Sequence, residues 1–290
     1  MTNKLSSVQK EELVAIMGDL LQPHIPVLSN AFKRFETWIA EVSKQHSSLL
    51  SKIPTIDWGI VETRLDELPE RSKKAMDRAS NRGWFFNWQG SLQTVLTLID
   101  DLEAANDDEL DTILIHHYDL NIDEYTARLS EAFPDRQKAI TAAVAAHKRG
   151  GDEYFLSVPV FLAQADGTFA NICGTTMPLG KSKSQDGVNG LAMIKEKIGE
   201  NGESYELLSP LFGLHKIDLL KGESARLAES QATGVVFNAL NRHQVLHGEV
   251  SDYGTKLNSL KAFSFLAFIG LHLPDILRAT DPAAQSVTRV

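Results

Sequence analysis

One arginine and two histidines near the C-terminal end of the sequence have the residue types and spacing for phosphodiester chemistry. The run over 241–250 reads NRHQVLHGEV, which places Arg242 five positions before His247, with His243 between them. A guanidinium group can hold a phosphate in a bidentate, permanently charged geometry, and an imidazole moves protons near neutral pH. These side chains therefore predict cleavage of a phosphodiester without a metal ion.

The spacing of the arginine and histidine, with a polar residue directly after the arginine, resembles the Arg-x4-6-His signature of the HEPN superfamily. HEPN domains are helical and occur in many prokaryotic RNA-cutting toxins and phage-defence proteins. The resemblance covers roughly the C-terminal half of the chain. It implies a metal-independent endoribonuclease that acts as a homodimer on RNA and is regulated by an antitoxin or another partner.

The same resemblance implies roles for the three motif residues. The 2′-hydroxyl of RNA would attack the adjacent phosphate and leave a 2′,3′-cyclic phosphate and a 5′-hydroxyl. His247 would be the general base or acid, Arg242 would hold the phosphate, and His243 would orient the substrate or the other histidine. On a regular helix Arg242 and His247 point about 140° apart. They converge only if the helix ends near Gly248 or if a second copy completes the site, and the resemblance favours the second copy.

Four further polar side chains are expected to support this site. Asp166 lies in an otherwise apolar helical stretch, and a buried carboxylate needs a cationic partner, so Arg242 is expected to pair with it. Asn241 could donate a hydrogen bond at the edge of the cleft. Asn258 and Lys261 could contact RNA or form a solvated helix face.

Two alternatives use the same residues differently. His243 and His247 are four positions apart and could both bind zinc, with Glu249 or Asp252 as a third ligand. However, the zinc-protease pattern needs a Glu after the first His, and Gln244 stands there, so no metal is predicted. In the other alternative Arg242 and the two histidines cap a helix end, with the arginine paired to an acidic neighbour such as Glu249. The chain would then be a noncatalytic HEPN-like module for dimerisation or partner binding.

Composition sets limits on these functions. The 290 residues carry a formal net charge of −9, which argues against broad, nonspecific nucleic-acid binding but allows a local basic cleft. The single cysteine, Cys173, cannot form an intramolecular disulfide. No apolar run approaches the roughly 20 residues that cross a bilayer. We therefore expect a cytoplasmic protein without a membrane segment or a cofactor.

Apolar periodicity predicts an all-α fold, with a helical N-terminal region of unknown role (1–132), a HEPN-like helical bundle (133–280) and a flexible tail (281–290). The aromatic cluster at 84–88 is expected to be a buried connector rather than a platform for base stacking. His116 and His117 are expected at the surface. Helices are predicted over 8–22, 26–48, 56–80, 90–104, 107–118, 121–132, 134–150, 152–173, 190–198, 203–212, 223–246 and 255–272, with a loop over 174–190.

Overall fold

The protein is described by a computed structural model over residues 58–89, 92–180, 189–199 and 203–280. Within these ranges all regular structure is helical and no strand is present, which confirms the predicted all-α fold. The helices predicted over 8–22 and 26–48, and the tail after 280, lie outside the described residues.

Some of the described helices are joined by short connections that contain a single 3-10 turn, and others by longer segments such as 234–241. The α-helix Lys256–Ala267 continues directly into a π-helical segment, Phe268–His272, and then into the α-helix Leu273–Ala279. The α-helices are α1 (Trp58–Asn81), α2 (Leu92–Ala104), α3 (Asp107–Ala132), α4 (Gln137–Arg149), α5 (Tyr154–Cys173), α6 (Leu191–Ile198), α7 (Glu203–Leu207), α8 (Ser209–Phe212), α9 (Glu223–Thr233), α10 (Arg242–Leu246), α11 (Lys256–Ala267) and α12 (Leu273–Ala279).

Most helix boundaries fall within a few residues of the predicted ones, but several predictions are wrong. The helix predicted over 203–212 is divided into α7 and α8, and the one predicted over 255–272 continues through the π-helical segment to Ala279. The helices predicted over 107–118 and 121–132 form the single helix α3, which begins at a capping box on Asn106. The helix predicted over 223–246 is divided into α9 and α10. The division occurs because Gly234 adopts a left-handed conformation (φ 71°) and caps α9.

Helix α5 is the central element around the candidate site. It packs against α4 on one side and α11 on another, and it also contacts α10. Large apolar side chains fill the centre of the bundle, where Phe161 of α5 meets Phe263 of α11 with ring centroids 5.2 Å apart. Because α5 is packed in this way, the polar side chains on its remaining faces are held in fixed positions.

By length and composition alone, the helical stretch Lys256–Arg278 is long and apolar enough to cross a membrane. The expectation that no apolar run approaches a spanning length is therefore wrong. However, 78% of its most apolar window is buried inside the protein. Burial of this extent is typical of a core helix in a helical bundle, because other helices cover most of its surface.

The aromatic cluster after α1 is an extended connector buried between helices, as predicted. Trp84, Phe85, Phe86 and Trp88 are each at most 5% exposed, so their rings are not available for base stacking. The backbone N–H of Phe85 donates to Ser264 Oγ (3.1 Å), and the N–H of Trp88 donates to His272 Nδ1 (3.4 Å). Buried apolar residues before and after residue 132, from Leu68 to Ile276, belong to one hydrophobic cluster.

Candidate functional site

The Arg–His motif lies on the short helix α10, which begins at a strong cap. Asn241, only 1% exposed, accepts a hydrogen bond from the backbone N–H of Gln244 (3.2 Å). Its amide nitrogen donates to the carbonyl oxygens of Asp218 (2.6 Å) and Lys221 (3.0 Å). Asn241 therefore lies beneath the motif rather than at the edge of a cleft, where it was predicted, and it fixes the start of α10.

A buried arginine that the sequence analysis did not single out supports the same cap. Arg226 of α9 is 6% exposed and donates to Asn241 Oδ1 (3.2 Å) and to the Lys221 carbonyl oxygen (2.9 Å). Its other terminal nitrogen pairs with Glu249 Oε2 at 2.8 Å. Glu249, given above as an example of an acidic partner for Arg242, is paired with Arg226 instead.

The predicted contact between Asp166 and Arg242 is present. The terminal nitrogen of Arg242 forms a hydrogen-bonded ion pair with Asp166 Oδ2, which joins α10 to α5. The two side chains are 15% and 24% exposed, respectively. Among the described residues, Arg242 Nε and Asp166 Oδ1 are buried and have no hydrogen-bond partner. The pair thus leaves one donor and one acceptor uncommitted, which is unusual for buried polar atoms.

The two motif histidines lie side by side at the end of α10. The rings of His243 and His247 are nearly parallel (9°), with centroids 6.0 Å apart. His247 is the C-terminal cap of the helix, and Gly248 then turns the chain with φ 72°. The helix therefore ends at the motif, which is one of the two conditions under which Arg242 and His247 could converge.

The two histidines differ in environment. His247 is exposed to solvent, whereas His243 is half-buried. Burial, with a smaller contribution from the positive charge of Arg242, lowers the pKa of His243 below its ordinary value of 6.5. Burial therefore favours the neutral form of His243, and a neutral imidazole can accept a proton.

Asn258 and Lys261 are engaged away from the motif. Asn258 Nδ2 donates to the carbonyl oxygen of Tyr253 (3.1 Å), inside the turn that precedes α11. Lys261 is only 13% exposed, and its ammonium lies 3.7 Å from Asp111 Oδ1 and 5.7 Å from the centre of the Trp84 ring. Burial lowers the pKa of Lys261. The prediction that Lys261 lies on an accessible helix face is therefore wrong.

Two other histidines, His117 and His147, are buried in the core and hydrogen-bonded there. His117, predicted at the surface, is 8% exposed, and its Nε2 lies 3.1 Å from the Tyr125 hydroxyl. His147 Nδ1 lies 2.8 Å from Ser259 Oγ, in an arrangement resembling a nucleophile and its base. Ser259 is completely buried and cannot reach a substrate. Within the described ranges, no group of three or more His, Cys, Asp or Glu side chains could hold a metal ion.

Comparisons with protein-family models, with curated proteins and with solved structures give no match for this chain.

Proposed function

We propose that this chain is a metal-independent endoribonuclease of the HEPN superfamily, acting as a cytoplasmic homodimer in a toxin–antitoxin or phage-defence system. The observation that carries the proposal is the placement of Arg242, His243 and His247 on one capped helix, with Asp166 holding the arginine. A phosphate-binding cation and a solvent-exposed imidazole on one helix are groups that RNA cleavage without a metal requires.

In this proposal the reaction is an internal transfer at phosphorus. The 2′-oxygen forms a bond to the phosphorus, the bond from phosphorus to the 5′-oxygen breaks, and the products are a 2′,3′-cyclic phosphate and a 5′-hydroxyl. One imidazole removes the proton of the 2′-hydroxyl, and another returns a proton to the leaving 5′-oxygen. The solvent-exposed His247 is the acid or base. The second imidazole comes from the matching motif of the other copy in the dimer.

Arg242 stabilises the charge that develops on the phosphate oxygens. Asp166 uses one terminal nitrogen of the guanidinium, so the remaining N–H groups keep their fork geometry for a phosphate. The carboxylate also restrains the long side chain, which lowers the entropy that substrate binding would otherwise have to remove. His243, neutral because of its burial, orients the substrate or its neighbour His247.

The proposal is tested by incubating total cellular RNA with the purified protein in EDTA. We expect the wild type to cut RNA and to leave DNA intact, since DNA lacks the 2′-hydroxyl. His247→Ala should lower the cleavage rate by about 10²–10⁴-fold, and Arg242→Ala by about 10²–10³-fold. His215→Ala is the matched control, because His215 is exposed and lies on another turn.

Circular dichroism of each variant separates loss of chemistry from loss of fold. Absence of cleavage by a correctly folded wild-type dimer would overturn the proposal, as would equal rates for the wild type and His247→Ala.

A noncatalytic dimerisation or partner-binding module is the second candidate function. The observation that favours it is a set of exposed apolar side chains on α9 and just after it, where Leu227 is 56% exposed and the adjacent Val235 and Val236 are 63% and 81% exposed. Exposed apolar side chains near one another often mark an interface. If Val235→Ser with Val236→Ser abolishes dimer formation while His247→Ala changes no activity, this candidate replaces the nuclease.

A further inference from the structure

A second arginine contacts α5 at Gly167, the residue that follows Asp166. Arg136, in the 3-10 turn before α4, donates to Gln164 Oε1 (3.1 Å) and to Asn171 Oδ1 (3.3 Å). These two amides stand on the same face of α5, on either side of Gly167. The guanidinium is thus held in place by neutral groups of a helix that the core keeps rigid.

Gly167 is what allows the guanidinium to lie there. A Cβ atom at this position would be 2.3 Å from Nη1 and 2.7 Å from Nη2 of Arg136. Contacts this short do not occur in folded proteins, so any larger residue at 167 would displace the guanidinium. The helix therefore has a seat, formed by Gln164, Gly167 and Asn171, that fits this one charged group.

Arg136 differs from the other described arginines because its charge has no carboxylate partner among the described residues. No carboxylate of the described residues lies within 4.0 Å of it, and its buried Nε has no hydrogen-bond partner there. Every other arginine whose side chain is described has a carboxylate within 4.0 Å; these are Arg71, Arg78, Arg82, Arg128, Arg149, Arg226, Arg242 and Arg278.

The chemistry of this seat suits an anion. A fixed guanidinium without a carboxylate partner is complementary to a phosphate. The amide oxygens of Gln164 and Asn171 face the arginine, which leaves their NH₂ groups without a partner among the described residues and free to donate. All the groups offered to a ligand are therefore donors or cations.

The seat is also close to the proposed scissile site. Asp166 and Gly167 are consecutive residues of α5, about 3.8 Å apart at Cα and separated by about 100° around the helix. Arg242 and Arg136 thus approach α5 at one level from neighbouring sides. Successive phosphates of one RNA strand could contact both.

We propose that Arg136, seated over Gly167 between Gln164 and Asn171, binds a phosphate of the RNA strand adjacent to the phosphate held at Arg242. This site rests on the proposed nuclease function for the identity of its ligand. It is distinct from the cleavage chemistry, because Arg136 contacts no atom that reacts.

The test measures binding of a single-stranded 2′-O-methyl RNA oligonucleotide, which cannot be cleaved, by fluorescence anisotropy over a range of salt concentrations. Each phosphate contact in a single strand contributes about 0.7 to the slope of log K against log salt concentration. We expect Arg136→Gln to reduce that slope by about 0.7 and to weaken binding about tenfold at low salt. Arg149→Gln is the matched control, because this arginine is 59% exposed and its loss changes the net charge equally.

A second variant, at Gly167, keeps the net charge of the protein but displaces the guanidinium of Arg136. Gly167→Ala should weaken oligonucleotide binding because its methyl group displaces the Arg136 guanidinium, although the net charge is unchanged. Thermal unfolding of both variants checks that the fold persists. Equal slopes for Arg136→Gln and Arg149→Gln, or no oligonucleotide binding by the wild type, would overturn the site.

The two proposals fail in different ways. If Arg136→Gln lowers the salt slope of binding but the wild type does not cut RNA in EDTA, the phosphate site is retained and the nuclease is overturned. Cleavage by a wild type whose binding is indifferent to Arg136 would do the reverse.

Discussion

The ion pair between Asp166 and Arg242 makes a quantitative prediction about coupling. Replacing either partner alone, by Asp166→Leu or Arg242→Met, leaves one charge without its counter-ion in a site that is only 15–24% exposed. Replacing both removes the two charges together and keeps apolar volume between α5 and α10. If the pair fastens α10 to the bundle, the double variant should be more stable than either single variant.

The magnitude follows from the exposure of the two side chains. Breaking a fully buried pair by removing one partner costs about 3–5 kcal/mol. Since both side chains keep some contact with solvent, we expect each single substitution to cost about 2 kcal/mol. The double variant should lie within about 1 kcal/mol of the wild type, because a paired charge and its apolar replacement differ little in stability. The coupling free energy is then about 3 kcal/mol.

Urea unfolding and thermal unfolding, both followed by circular dichroism at 222 nm, compare all four proteins. Each single variant should lose about 4–8 °C in Tm, using about 2–4 °C for each kcal/mol in a chain of this size. RNA cleavage should be lost in the double variant although its stability is recovered, since Arg242 would be absent. Additive effects on stability, with a coupling below about 0.5 kcal/mol, would refute the fastening role.

Two further predictions concern positions next to the motif and in the core. Asn241→Ala should lower the free energy of unfolding by about 2–3 kcal/mol, because it removes a helix cap and leaves buried partners unsatisfied. Thr255→Ala removes an exposed cap that bonds only the backbone N–H of Asn258, so it should cost about 1 kcal/mol. Burial lowers the pKa of His272 to about 4. The unfolded chain therefore takes up a proton there first as pH falls from 6.5 towards 4, and that proton destabilises the fold by about 2.5 kcal/mol at pH 4.5.

Both predictions are checked by urea unfolding. Equal costs for Asn241→Ala and Thr255→Ala would show that the inner hydrogen bonds of Asn241 contribute nothing. For the histidine, His272→Gln should lose about 2.5 kcal/mol less than the wild type between pH 7 and pH 4.5, and parallel pH profiles would contradict the assignment.

The sequence predicted the features that the types of the residues themselves decide. The Gly150 end of α4 was predicted from its glycine, which adopts φ 73°. The contact of Asp166 with Arg242 was predicted because a lone carboxylate in an apolar helix requires a cation. In each case the deciding signal lies within one or two elements.

Features that depend on distant packing were not predicted. The break at Gly234 was missed because one glycine in a helical pattern is compatible with continuation, although two β-branched valines follow it. The capture of Glu249 by Arg226 and the seat of Arg136 over Gly167 depend on where whole helices lie. Lys261 was assigned to the wrong side of α11 for the same reason.

The buried connector of residues 84–89 has a consequence for synthesis on the ribosome. Its hydrogen bonds reach Ser264 and His272, which follow 179 and 184 residues later in the chain. During translation the aromatic connector therefore emerges long before the helices that cover it. A nascent chain lacking α11 and the π-helical segment would leave the Phe85 ring without Phe265 and Phe268, and transiently exposed aromatic surface of this kind promotes aggregation. Activity of this protein, whatever its target, must therefore wait until the final helix has been made.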